Sequence, residues 1–127
     1  MVALDQRAPL RVLIPDTPDD PLPQAILLNT AGGLVGGDRI EVSVKIGEGA
    51  AALVTAQAAE KVYRSTGRPV QIDNRIEVGS GGWFEWLPQE TILFDRCRFH
   101  RTAMLDAAPD AEMLVGEILV FGRRAHA

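Results

Sequence analysis

A chain of 127 residues has room for one domain, or part of one. Its net charge of −4 argues against a nucleic-acid partner, because phosphate neutralisation needs a basic surface. Cys97 is the single cysteine, so no internal disulfide can form, and no signal peptide or membrane-length apolar run is visible; a cytoplasmic protein is expected.

In chain order, "RVLIP" reads as a short strand and is followed by "PDTPDDPLP". Proline and aspartate dominate residues 15–24, which a strand ladder could not traverse. "AILLN" is a short apolar strand. A loop with two glycine pairs, "NTAGGLVGGD", leads into "RIEVSVKI". There Ile40, Val42, Val44 and Ile46 alternate with polar residues, the period of a half-buried strand. "GEGA" turns the chain and "AALVT" brings it back as a strand. "AQAAEKVYRS" is the one segment predicted as a helical turn. Val70, Ile72, Ile76 and Val78 then alternate with Gln71, Asp73, Arg75 and Glu77; "GSGG" turns the chain into "WFEWL". "TILF", "RFHRTAML" and "EMLVGEILVFG" complete the strand set.

The reading is all-β, with stacked, solenoid-like sheets and very little helix. A faint repeat supports stacking: "VKIGEGAAALVTAQ" and "IEVGSGGWFEWLPQ" share strand, Gly-x-Gly, strand and Gln at a period of 32 residues. The chain stops at "GRRAHA", straight after an apolar strand, which reads as an incomplete domain spanning residues 1–127.

The glycine loop does not suit a phosphate. A P-loop needs Lys and Ser or Thr after its last glycine, and here Asp38 and Arg39 stand in those places. Gly32, Gly33, Gly36 and Gly37 also miss the Gly-x-Gly-x-x-Gly spacing, and a strand follows where a helix is required. A tight connection needing positive φ explains the glycines but leaves Asp38 unexplained.

Metal ligands are sparse. Cys97 and His100, three apart on a strand, would face opposite ways, and His126 lies at the terminus. A structural zinc site would need four nitrogen or sulfur ligands. No Gly-x-Ser-x-Gly is present. Carboxylates are more informative. Glu117 shares a strand face with Met113, Val115, Leu119 and Phe121, while Leu114, Ile118 and Val120 occupy the other face, so both faces read as buried and Glu117 sits among apolar side chains. A carboxylate there is expected either to neutralise a buried arginine or to line a polar interior. Glu85 and Glu90 raise the same question. Paired carboxylates keep open a second class, a carbohydrate-active or other small-molecule enzyme.

Four blocks, "NTAGGLVGGDRI", "TAQAAEKVYRS", "EWLPQETILFDRCRF" and "GEILVFGRRA", together resemble the urease accessory protein UreD (UreH) family, in the family's order. They cover Asn29 to Ala125 and correspond to about the N-terminal half of that family's length. The resemblance implies a scaffold and not an enzyme. Its expected partners are UreF, the GTPase UreG and the urease apoprotein, with no membrane and no nucleic acid. It implies a β-rich stack with an internal tunnel that passes nickel in transit, and no tightly bound cofactor. It places the polar tunnel positions at Asp38, Glu60 and Glu117. The scarcity of His and Cys fits a conduit, since Ni²⁺ binds imidazole and thiolate well and a cage of them would hold it.

Overall fold

The alternation of Ile40, Val42, Val44 and Ile46 does form one face of a strand, but its neighbours in space come from far along the chain. A computed structural model describes residues 10–15, 19 and 21–122. It contains β1 (Leu10–Leu13), β2 (Gln24–Asn29), β3 (Arg39–Ile46), β4 (Ala51–Ala56), β5 (Glu60–Val62), β6 (Val70–Val78), β7 (Trp83–Trp86), β8 (Thr91–Leu93), β9 (Phe99–Ala107), β10 (Glu112–Val115) and β11 (Leu119–Phe121). They form three sheets: A, in the order β1-β2-β4-β7-β10; B, β11-β8-β5; and C, β3-β6-β9. β1 runs antiparallel to β2, and every other strand pair is parallel.

The chain therefore winds as a three-sided β-solenoid. Each coil takes one strand from sheet C, one from A and one from B, and the next coil stacks on it. The repeat visible in the sequence is this register: Val44 lies opposite Ile76, and Ala51 opposite Trp83, each 32 residues on. The second step is shorter, with Val70 opposite Phe99. The "GEGA" turn is a corner between sheets. The strand after it pairs with the coils above and below, not with the strand it has just left.

The corners stack as well as the strands. The turns Gly47–Ala50, Gly79–Gly82 and Ala108–Ala111 are each closed by a backbone bond from last N–H to first carbonyl, at 3.1, 2.9 and 2.9 Å. Gly49 and Gly81 both take φ of 68°, a left-handed conformation that costs a residue with a Cβ about 1–2 kcal/mol. The third turn has Pro109 and Asp110 and no positive φ.

Inward residues fill the interior in two clusters. Ile46, Val54, Ile76, Val78, Phe84 and Trp86 pack between sheets A and C. Leu34, Ile40, Val62, Val70 and Ile72 pack between sheets B and C under the glycine loop. Phe84, Val62 and Val70 are wholly inaccessible to solvent.

Two local expectations fail. The helical turn predicted in "AQAAEKVYRS" is strand β5: Glu60, Lys61 and Val62 lie opposite Thr91, Ile92 and Leu93 of β8, and this ladder overrides the Ala-rich local preference. "EMLVGEILVFG" is not one strand. It breaks at Gly116–Ile118, the corner from sheet A to sheet B, so the face assignments made for a single strand end at Val115. Its expected burial fails too, since Leu114, Ile118, Leu119, Val120 and Phe121 are exposed. Cys97 lies just before β9, its segment bridging Arg64, so it shares no strand with His100. His126 lies outside the described residues.

Candidate functional site

Between the two apolar clusters lies a cavity of about 160 Å³. Its apolar walls include Leu27, Ile40, Ile72 and Trp86, and its polar lining includes Asn29, Glu60, Asn74, Thr91, Arg101 and Glu117. Each arrives by register. Glu60 begins β5 and Thr91 begins β8 directly beneath it, so the two form an inward polar step at the edge of sheet B. Val115 of β10 lies beneath Trp86, and Glu117 follows two residues later at the corner towards sheet B. Arg101 lies beneath Ile72 on sheet C. Asn74 occupies the inward face of β6 between Ile72 and Ile76 and is 6% exposed. Among the described residues its side-chain amide has no protein hydrogen-bond partner. A buried amide without one is costly unless the space beside it holds water or a ligand.

Arg101 organises the charges. Its Nε lies 3.2 Å from Glu117 Oε1. Its Nη1 donates to Thr91 Oγ1 at 3.1 Å, and its guanidinium sits 5.1 Å from the Phe99 ring centre. The Arg101 side chain is 14% exposed and that of Glu117 is 37% exposed, so the pair sits at the mouth of the cavity. Glu117 thus pairs with an arginine and also lines the cavity, but it lies at a corner and is more than a third exposed, not buried within an apolar strand. Burial pushes the Glu60 carboxyl above the ordinary glutamate value of 4.5. A 3.3 Å hydrogen bond from Asn29 Nδ2 and the charge of Arg101 offset this only in part.

The structure brings Glu60 and Glu117 to one cavity but leaves Asp38 outside its lining. Asp38 Oδ2 accepts the Val35 N–H at 2.9 Å, while Asp38 N–H donates to the Val35 carbonyl at 3.0 Å. This reciprocal clasp closes the glycine loop and gives Asp38 a structural task. The four glycines divide the rest of the work. Gly32 and Gly37 have φ of 78° and 91°. A Cβ at Gly33 would strike the Tyr63 ring, and one at Gly36 would strike Ser65 Oγ and the Arg68 carbonyl. The loop also borders the site, since Gly32 lines the cavity and Asn29 anchors both the loop, by accepting the Ala31 N–H, and Glu60.

Arg101, Asn74, Thr91 and Asn29 were not singled out from the sequence. Two of them left a trace there. Asn74 interrupts the apolar series Val70, Ile72, Ile76, Val78, and Arg101 interrupts Phe99, Ala103, Leu105. Glu85 is turned to another use, accepting the Trp83 Nε1–H at 3.2 Å. Among the described residues no three His, Cys, Asp or Glu side chains converge as a metal cage. Nor does any helix there have the length and hydropathy to cross a membrane.

The family model for the UreD urease accessory protein matches residues 1–127. The chain belongs to the UreD family. It is 51% identical over 125 residues to urease accessory protein UreD 2 of Methylorubrum populi, covering 98% of this chain and 42% of that protein. It is 48% identical over 122 residues to UreD 3 of a Bradyrhizobium species, covering 96% of this chain and 44% of that protein. To UreD of Magnetococcus marinus it is 45% identical over 118 residues, with 93% and 41% covered. The chain thus spans about two fifths of the length of these curated relatives. The family and these relatives bear the names of accessory proteins and not of enzymes.

Proposed function

We propose that this chain is part of a cytoplasmic scaffold for urease maturation, one that binds the urease apoprotein together with UreF and the GTPase UreG and passes nickel, as cargo, through its interior. One observation carries the reading: within a UreD-family chain, Glu60 and Glu117 line the same cavity, which sets a few polar groups among apolar walls and opens beside Glu117. Carboxylate, amide and hydroxyl oxygens are weaker donors for Ni²⁺ than imidazole or thiolate. Two carboxylates with neighbouring amides suit a site that takes up a hydrated cation and lets it go. On this reading the affinity is weak, about micromolar or weaker. Asp38 would act on the path by holding the loop that walls it. No catalytic role falls to any of these groups.

The test is Glu117→Gln in the full-length protein. Gln keeps the shape and removes the charge that attracts Ni²⁺. Because Glu117 is more than a third exposed, the stability cost is expected to be about 1 kcal/mol or less. Association with UreF should be unchanged and urease activation slowed. Activation at the parent rate by a stable, assembled variant would refute the conduit.

A further inference from the structure

We propose that Arg101 is a resident cation that latches the cavity: it occupies the carboxylate a passing divalent ion needs, and the ion enters by displacing it. The proposal rests on the nickel-path reading above and adds to it the group that sets how readily the path loads and empties.

Three features point to a latch and not to a static ion pair. First, a guanidinium is always protonated under physiological conditions. Arg101 therefore cannot leave Glu117 by losing charge, and only a competing cation can take its place. Second, the hold on Glu117 is one contact at 3.2 Å, through Nε, rather than a two-pronged fork. The other restraints, Thr91 Oγ1 and the Phe99 ring, are uncharged and do not depend on Glu117. When Glu117 turns to an incoming ion, Arg101 keeps both and need not enter the core. Third, the space such an ion would enter already holds polar groups among its apolar walls. Glu60 begins β5 on the facing sheet, and Asn74 presents a buried amide that no described residue satisfies. An oxygen donor in that position can complete the shell of a partly hydrated ion. Two carboxylates facing one cavity with no cation between them would repel each other, and Arg101 removes that cost in the empty state.

The latch also weakens binding. A divalent ion gains Glu117 only by giving up the attraction already made there and then feels the repulsion of the displaced guanidinium. Removing the guanidinium should therefore tighten binding by about tenfold, after allowance for screening at the open mouth.

The experiment is calorimetric titration of the full-length protein with Ni²⁺ alone, for the parent, Arg101→Gln, Arg101→Lys and Arg101→Met. Arg101→Gln should bind about tenfold tighter, while Arg101→Lys, which keeps a cation, should stay within about twofold of the parent. Arg101→Met removes the charge, keeps an aliphatic side chain beside Phe99 and leaves every oxygen donor in place, and should also bind about tenfold tighter. It serves as the decisive variant if Arg101→Gln does not fold. Unchanged or weaker Ni²⁺ binding in the folded variants overturns the latch, whatever happens to urease. Tighter binding with urease activation at the parent rate keeps the latch and overturns the conduit. Tighter binding with slowed activation supports both.

Discussion

The packed core beneath Phe84 and the cavity beside Arg101 are walled by the same three sheets, yet one holds apolar side chains alone and the other sets polar groups among apolar walls. β6 passes through both. Its inward residues are Val70, Ile72, Asn74, Ile76 and Val78, and all are buried. Ile76 and Val78 meet Phe84 and Trp86 across the interior. Two residues earlier, Asn74 meets the cavity. The difference is not one of fold, since backbone, register and neighbouring coils are continuous. It comes from which side chains the facing corner supplies. In the packed core sheet A offers Phe84 and Trp86, which fill the space. Around the cavity the chain is turning from sheet A to sheet B and offers Pro88, Thr91, Glu117 and the start of β5. A solenoid corner leaves room that strand side chains do not fill, and polar groups occupy it.

Exchanging the two characters should break the comparison with the largest effect. Ile76→Asn places an amide where 1% of the residue is exposed, and should cost about 3–5 kcal/mol by urea unfolding. The reverse change, Asn74→Leu, should be neutral or stabilise by up to about 1 kcal/mol, since it removes a buried group without a protein partner. Equal losses at both positions would show that the cavity is as tightly packed as the core.

The smallest expected effect concerns pH and sharpens the comparison. Burial raises the folded pKa of Glu60, so the folded state holds its proton above 4.5, the value at which the unfolded chain releases it. The folded state then binds more protons in that window, and stability falls as pH rises from about 4.5 through the raised pKa. Glu60→Gln should remove this slope and keep the oxygen that accepts from Asn29. Melting temperatures from pH 4 to pH 8 test it. A variant whose pH profile matches the parent's would show that Glu60 is as well solvated as a surface carboxylate.

The ends of the fold show the same division. Leu105, Leu119 and Phe121, on the last coil described, stack below Ile76, Thr91 and Leu93 but are exposed on their other side. Their partners in the upper coils are covered because another strand lies beneath them.

The sequence by itself determined the all-β character, most strand positions and the 32-residue step, because period-2 alternation and glycine turns are local signals. Its four signature blocks also determined the family. It marked Glu117 as out of place, but on the premise of one continuous buried strand, which the corner at Gly116–Ile118 removes. What it left to tertiary structure were the features whose partners lie a full coil away. "EKV" is a strand because Thr91–Leu93 lies beneath it, and no local propensity carries that information. Likewise "EMLVGEILVFG" bends at Gly116–Ile118 because the coil above turns at the same place, where the Gly116 N–H reaches the Trp86 carbonyl and the Ile118 carbonyl accepts from Thr91. Only that bend brings Glu117 to Arg101. The cavity exists for the same reason, since its lining is drawn from successive coils whose residues are neighbours through stacking and not through sequence. Asp38 differs in the opposite sense: its partner, Val35, is three residues away, and a local turn satisfies its carboxylate before any distant group can compete.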